Sequence, residues 1–352
     1  DGSIVTQHIE YPTPIDITTF YTNEEGWLML PQELDFGYGY KLVEVQTAPG
    51  FFLDDEAILF DVTGEQTFIT VTKYNKPQKA NIHITKKGEI FSNVTTSDNM
   101  YRPVYEVQNL ENAVYEIYAD EDIYLNNKLM VAKNTLVATV TTTKDGAYSP
   151  NLYLGRYRIE EKTAPYGMTS GQFGPKFVQL NYNGQTIEVF TESISFYNER
   201  QKVDISFEKV MEQDNIFKIG NNDEITSVLM GLYANEDITA ADGSKIPKDG
   251  LIEIATVDAK SGYGKFTIDL PVDSCVYIKE IATDSNYILS DKKFPIEFNY
   301  AGQDLSTVKI IANESKPIIN YLKRGSIEGI KIDENGKGLE GALIGLFNPN
   351  ET

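Results

Sequence analysis

The chain has 352 residues, a formal net charge of −21 and one cysteine. That length exceeds a single all-β module and provides for two or three cores. The acidic balance excludes nucleic acid, whose phosphates it would repel, and the lone thiol excludes any internal disulfide. No apolar run reaches the length of a membrane span and no signal-peptide pattern opens the chain at Asp1, so the sequence is expected to be a piece of something longer.

Short alternating stretches rich in Thr, Ile, Val and Tyr, separated by turns at Asp145-Gly146, Asn183-Gly184, Asp242-Gly243 and Asn335-Gly336, predict an all-β fold. In chain order, the first informative element is Tyr40-Lys41-Leu42-Val43-Glu44, a strand ending in an inward acid, with Asn75 downstream. The run Ile82-His83-Ile84-Thr85-Lys86 follows, then an insertion from Gly88 to about Asn112 and the strand Val114-Tyr115-Glu116-Ile117-Tyr118. Tyr157-Arg158-Ile159-Glu160-Glu161 again ends in an acid and precedes Asn198. Parity with Tyr157 and Ile159 favours Glu161 over its rival Glu160. The series then repeats with Ile205-Ser206-Phe207-Glu208-Lys209, extra length at Asn215 to Ser227, Met230-Gly231-Leu232-Tyr233-Ala234, Val276-Tyr277-Ile278-Lys279-Glu280 and Asn320. Ile327-Glu328-Gly329-Ile330-Lys331 opens one more round.

The pairs Asn75 and Lys86, Asn198 and Lys209, and Asn320 and Lys331 share one spacing of eleven residues, and the lysines recur at 123 and 122 residues. Period-2 parity turns each lysine toward the face of its run's apolar middle position, although Gly329 leaves that position empty in the last copy. The period is too long for a solenoid repeat and suits independent sandwich modules in tandem, joined by short polar links and stacked head to tail. The predicted boundaries are 1–77, the later part of a first module; 78–200 and 201–322, two whole modules; and 323–352, the opening strands of a further one.

Thr47-Ala48-Pro49-Gly50-Phe51 after Glu44, and Lys162-Thr163-Ala164-Pro165-Tyr166-Gly167 after Glu161, resemble the E-x-x-A-P-x-G-Y signature of the SpaA-type or CnaB-type prealbumin-like modules of Gram-positive surface proteins and pilins. Gly338-Leu339-Glu340-Gly341-Ala342-Leu343-Ile344-Gly345-Leu346-Phe347 is similar to that family's L-x-G-A-x-F second strand. The resemblance implies tandem Ig-like, prealbumin-like β-sandwiches, and an intramolecular isopeptide bond between a first-strand lysine and a last-strand asparagine, assisted by a buried acid. Carried over, it implies Lys86 with Asn198 and Glu161, and Lys209 with Asn320 and Glu280. The third module departs from the signature, because Ile281-Ala282-Thr283-Asp284-Ser285-Asn286-Tyr287 holds no Ala-Pro-x-Gly.

The chemistry also follows from the residue types. Burial in an apolar interior lowers a lysine pKa and raises that of a glutamic acid. A neutral amine is a nucleophile, and a protonated carboxyl can polarise the asparagine carbonyl and pass a proton to the leaving ammonia. The bond forms once, without turnover, so the chain is not read as an enzyme. Singly, a strand-end lysine is ordinarily a snorkelling surface residue and an asparagine before a turn ordinarily serves the turn. The recurrence of the trio is what sets these residues apart.

Other sites have little support. Cys275 lacks a neighbouring glutamine and reads as a half-buried structural thiol. His8 and His83 belong to no triad or zinc pattern, and the acidic stretches lack calcium-loop spacing, so neither a metal nor a cofactor is expected. The reading is an extracellular, wall-attached stalk or fibre segment, with an adhesin module for a host or neighbouring-cell ligand as the alternative. The Gly88 to Asn112 insertion is the place for such a ligand surface, or for packing between modules. The half-modules at the ends suggest two explanations, truncation or completion by a neighbouring chain. In the second, Lys331 would react with Asn75 of the next chain, assisted by Glu44.

Overall fold

The computed structural model describes residues 2–65, 68–170 and 174–348. The described elements are strands, apart from short 3-10 turns at Glu224–Ser227 and Asn313–Ser315. The chain is all-β, as expected from its alternating pattern. Two compact units divide it: residues 1–86, 109–163 and 172–196 form the first, and residues 87–108, 164–171 and 197–352 the second.

In the first unit, Leu136–Thr141, Val114–Ala119, Gly155–Thr163 and Lys176–Leu180 form an antiparallel sheet in that order. The facing sheet is built on the first part, up to Lys86, of the long strand Lys79–Ser97, which pairs with Ala147–Tyr148, Leu152–Tyr153 and Val189–Asn198; residues 87–97 and 197–198 of these strands belong to the second unit. Ala80, Ile82 and Ile84 from one sheet and Tyr115, Ile117, Tyr157 and Ile159 from the other fill the core. Every second residue of 79–88 and of Val114–Ala119 is buried, the two-residue period of a strand with one face toward a core. The early residues form two hairpins, Gln7–Ile9 with Ile15–Ile17 and Gly37–Leu42 with Ile58–Val62. The expected strand Tyr40–Glu44 therefore stops at Leu42, short of its acid.

The second unit repeats the plan. Leu251–Thr256, Leu229–Ala234, Ser274–Ala282 and Phe294–Phe298 make one sheet. In the other, Lys202–Met211 pairs antiparallel with Tyr263–Phe266 and parallel with Thr307–Ile311 and Ile318–Asn320. Gly264 is required there: a Cβ at that position would lie 2.2 Å from the Phe207 ring. The insertion after Lys86 is the distal part of an antiparallel hairpin, Lys79–Ser97 with Met100–Asn109. Its residues Phe91, Val94 and Tyr101 pack on the second core, and Phe91 O accepts from Ala241 N at 3.0 Å. Arg200 holds the hairpin down. Its guanidinium lies 3.5 Å from the Tyr105 ring centroid, pairs with both carboxylate oxygens of Asp269 and reaches Glu89 at 3.3 Å. Arg200→Ala is expected to destabilise this region by about 2 kcal/mol, since it strands two acids and uncovers a ring. Hydrogen exchange should then quicken across 87–108 before it does in Ser274–Ala282.

A glutamine device recurs at the starts of both sandwiches. Gln78 donates to Gly184 O at 2.7 Å and Ile187 O at 2.6 Å and accepts from Asn183 N at 2.7 Å. Gln201 donates to Gly302 O at 2.9 Å and Leu305 O at 2.6 Å and accepts from Ala301 N at 2.8 Å. Each side chain satisfies three backbone groups of a loop that would otherwise be orphaned.

The last expected strand does not form. Ile327 and Ile330 are 82% and 81% exposed and Lys331 is exposed, so the inward orientation expected of this lysine is not observed. A strand needs a hydrogen-bonded neighbour, and among the described residues the only pairing recorded for 325–348 is the Ile332 to Gly338 bridge across the Asn335-Gly336 turn. The final residues of the predicted 323–352 segment, 349–352, lie outside the described residues.

Candidate functional site

Parallel pairing brings Lys209 and Asn320 together. Lys209 stands opposite Ile318, so Asn320, two residues on, falls on the same face of the neighbouring strand. Glu280 reaches them from the opposite sheet, where Ser274–Ala282 bulges directly after the acid. All three are buried, at 1%, 1% and 3% exposure for Lys209, Asn320 and Glu280. Lys209 Nζ lies 2.5 Å from Asn320 Oδ1 and 3.1 Å from Glu280 Oε1. Asn320 Nδ2 donates to Glu280 Oε1 at 2.7 Å and to Thr283 Oγ1 at 2.6 Å. Ser290 N holds the other Glu280 oxygen at 2.9 Å. Desolvation pushes the Lys209 pKa down, opposed by the attraction of Glu280. An amine inclined to neutrality, an acid within proton-transfer reach and an amide carbonyl in contact can together carry out acyl transfer from asparagine to lysine.

The equivalent lysine in the first unit, Lys86, is 1% exposed and its Nζ sits 2.7 Å from Glu161 Oε1. Burial lowers its pKa, and the hydrogen bond to Glu161 opposes this. The Tyr115 hydroxyl, 3.4 Å from the same Glu161 oxygen, adds a polar neighbour, and its own pKa is pushed up by burial. Glu160 points elsewhere, accepting from Arg158 Nε at 2.7 Å. Asn198 ends the Val189–Asn198 strand and is buried.

In the earliest segment, Asn75 Nδ2 donates to Glu44 Oε2 at 2.6 Å, Thr47 Oγ1 at 2.9 Å and Phe52 O at 3.1 Å. Glu44 and Asn75 are half-buried. Lys331 is remote from such an environment, being exposed with its carbonyl accepting from Leu339 N at 2.9 Å.

A turn after each acid fixes the correspondence. Phe51 N bonds Ala48 O, Met168 N bonds Pro165 O, and Tyr287 N bonds Asp284 O, each seven residues beyond Glu44, Glu161 and Glu280 respectively. Gly50 and Gly167 occupy the third turn position at φ 91° and 80°, where a side chain would be strained, and Asn286 replaces them in the third copy. Sequence reasoning overlooked Thr47 and Thr283, three residues after their acids, and the role of Gln78 and Gln201. The threonine spacing and the 123-residue glutamine spacing were the available signals.

Cys275 is half-buried and burial raises its thiol pKa, which keeps it a poor nucleophile. His83, half-buried, stacks on Tyr148 at 4.3 Å, and the exposed His8 pairs with Asp16 at 2.6 Å. Among the described residues there is no metal-ligand cluster, and no helix is long and apolar enough to cross a membrane.

Residues 104–193 match the SpaA family, a prealbumin-like fold domain. No curated protein matches the chain. Among solved structures, the Bacillus anthracis TIE protein is 18% identical with a TM-score of 0.52 over 90% of this chain and 48% of that one. The chain thus spans about half the length of that protein, and the likeness is one of fold. The shaft pilin SpaA of Lactobacillus rhamnosus GG (12% identity, TM-score 0.26) and a C-terminal fragment of the pilus adhesin SpaC from the same organism (13%, 0.35) each align over 71% of this chain and 100% of their own.

Proposed function

We propose that this chain, which carries a SpaA-type prealbumin-like domain, is a structural segment of a Gram-positive surface stalk or fibre, its modules locked by autocatalytic Lys–Asn isopeptide bonds. The observation that carries the proposal is the buried Lys209, Glu280 and Asn320 cluster, with amine, acid and amide in mutual contact. A buried lysine and a buried acid are expensive to keep for packing alone, and a one-time covalent use explains them. By the sequence repeat, Lys86 and Asn198 form the equivalent bond with Glu161 as the acid. Residues 78–200 and 201–322 are then the two complete modules. No turnover and no resident cofactor are involved. Packing of the 87–108 hairpin on the second core favours a mechanical use of that insertion over a ligand-binding one.

The test is intact mass: the native chain should be lighter than its sequence by one ammonia per bond, and an unchanged mass would sink the proposal. The reaction should also depend on pH with a definite sign. Because burial holds the Lys209 pKa below the ordinary 10.5, the attacking neutral amine becomes abundant at a lower pH than in an exposed lysine. The attack also needs the proton that Lys209 passes to Glu280, because the protonated carboxyl polarises the amide. Chain recovered unreacted from denatured material and refolded across a pH series should therefore form the 209–320 branched peptide more slowly as pH rises above that lowered value, where the pair loses its shared proton. A rate that keeps climbing over the same range would contradict the acid-assisted mechanism.

A further inference from the structure

We infer that Thr283 is a positioning residue for the Lys209–Asn320 bond, holding the asparagine amide in the orientation that offers its carbonyl to the lysine; this rests on the isopeptide reading above. A primary amide nitrogen has two N–H donors. In Asn320 one goes to Glu280 Oε1 at 2.7 Å and the other to Thr283 Oγ1 at 2.6 Å. With both committed, the amide plane is fixed and Oδ1 faces Lys209 Nζ at 2.5 Å. An acid and a threonine three residues later also accept from Asn75, Glu44 at 2.6 Å and Thr47 at 2.9 Å, with Phe52 O as a further acceptor at 3.1 Å. The turn correspondence puts Ala164 at that place after Glu161, where no hydroxyl is offered.

The proton bookkeeping shows when the threonine matters. Before reaction the ammonium is a donor and the carboxylate an acceptor, so these two groups alone orient the amide. For attack, Lys209 must give a proton to Glu280, and the carboxyl then turns donor toward Oδ1 and loosens its hold on Nδ2. At that moment Thr283 is the group that keeps the amide from rotating and exchanging its oxygen for its nitrogen. The Lys209 Nζ to Asn320 Cγ bond then forms and the Cγ to Nδ2 bond breaks. Of the three ammonium protons, one stays on the new amide nitrogen and two leave with Nδ2 as ammonium, passed across by Glu280, which ends as it began.

The experiment follows both branched peptides, 209–320 and 86–198, by tryptic mass spectrometry during refolding of the full chain from denatured, unreacted material. Thr283→Ala is expected to slow the 209–320 bond about five- to tenfold, the worth of one hydrogen bond in the reactive state, and to leave the 86–198 bond at its native rate. Thr283→Ser should restore the rate to within about twofold, since it returns the hydroxyl. A native 209–320 rate in Thr283→Ala overturns the positioning role alone. Equal slowing in the alanine and serine variants, or slowing of both bonds, overturns it too, because those outcomes mark a packing or folding defect. If the native chain never yields the 209–320 peptide, the bond itself fails, and the inference falls with it.

Discussion

Glu161→Ala combined with Glu280→Ala is expected to return the chain to its full sequence mass and to lower its thermal stability sharply, with each single variant losing one bond. The residues that the proposed bond of the second unit would join are 111 apart in the chain, and the chain-entropy argument for a crosslink of that span gives about 5 kcal/mol. For a sandwich of this size that corresponds to a fall of roughly 15 °C or more in melting temperature. The folded structure itself should survive, because the apolar layers that surround the site are untouched: Phe207, Met230, Ile278 and Phe298 remain buried together. Losing the acid also leaves Lys209 without its charge partner, but a lysine already driven toward neutrality by burial tolerates this better than one held charged. Differential scanning calorimetry beside intact mass separates the outcomes. A melting temperature that does not fall in a variant shown to have lost its bond would mean that the crosslink guards against force or proteolysis rather than against thermal unfolding.

Gln201→Leu is expected to destabilise the second unit substantially without touching Lys209, Glu280 or Asn320. The side chain is fully buried, and its removal leaves the Gly302 and Leu305 carbonyls and the Ala301 N–H with no replacement in an apolar substitute. At about 1–3 kcal/mol for each buried group left unmet, partly relieved by water reaching the loop, the loss should come to about 3 kcal/mol or more. Gln201→Glu provides the contrast: it keeps an acceptor for Ala301 N but cannot donate to the two carbonyls when ionised. Chemical denaturation of both variants checks this. Equal stability of Gln201→Leu and the native chain would demote the glutamine to a bystander. The neighbouring loop residue Gln303 takes part in the same joint, receiving Ala164 N on its side-chain oxygen at 2.8 Å and Ser170 N on its carbonyl at 2.7 Å, so a loosened 301–305 loop should also free the 164–170 segment.

Much of this architecture was legible in the residues. Alternation at Ile82 to Lys86 and Ile205 to Lys209 is a local property, set by the two-residue period of a pleated strand, and it fixes which side chains go inward without knowledge of any partner. The same reasoning failed at Ile327 to Lys331, because periodicity states which face a strand would bury and not whether a neighbouring strand exists to hydrogen-bond it. The acid two residues past the Gly37–Leu42 strand shows a related limit, for a strand's end is decided by where its partner's pairing stops.

The all-β class, the repeat, and the recurring lysine, acid and asparagine can all be read along one chain, because each depends on residue type and spacing. What these residues touch follows from the folded arrangement alone. The parallel register of Lys202–Met211 with Ile318–Asn320 sets Asn320 diagonally beside Lys209, and the bulge after Glu280 sits where the opposite sheet delivers its acid. Thr283 and Gln201 acquire their roles only through partners dozens of residues away, Asn320 for the one and the 301–305 loop for the other. Hydrogen bonds to an amide or a carbonyl are short-ranged and directional, so their partners are chosen by three-dimensional proximity; the repeat spacing marks Thr283 and Gln201 but does not say what they touch.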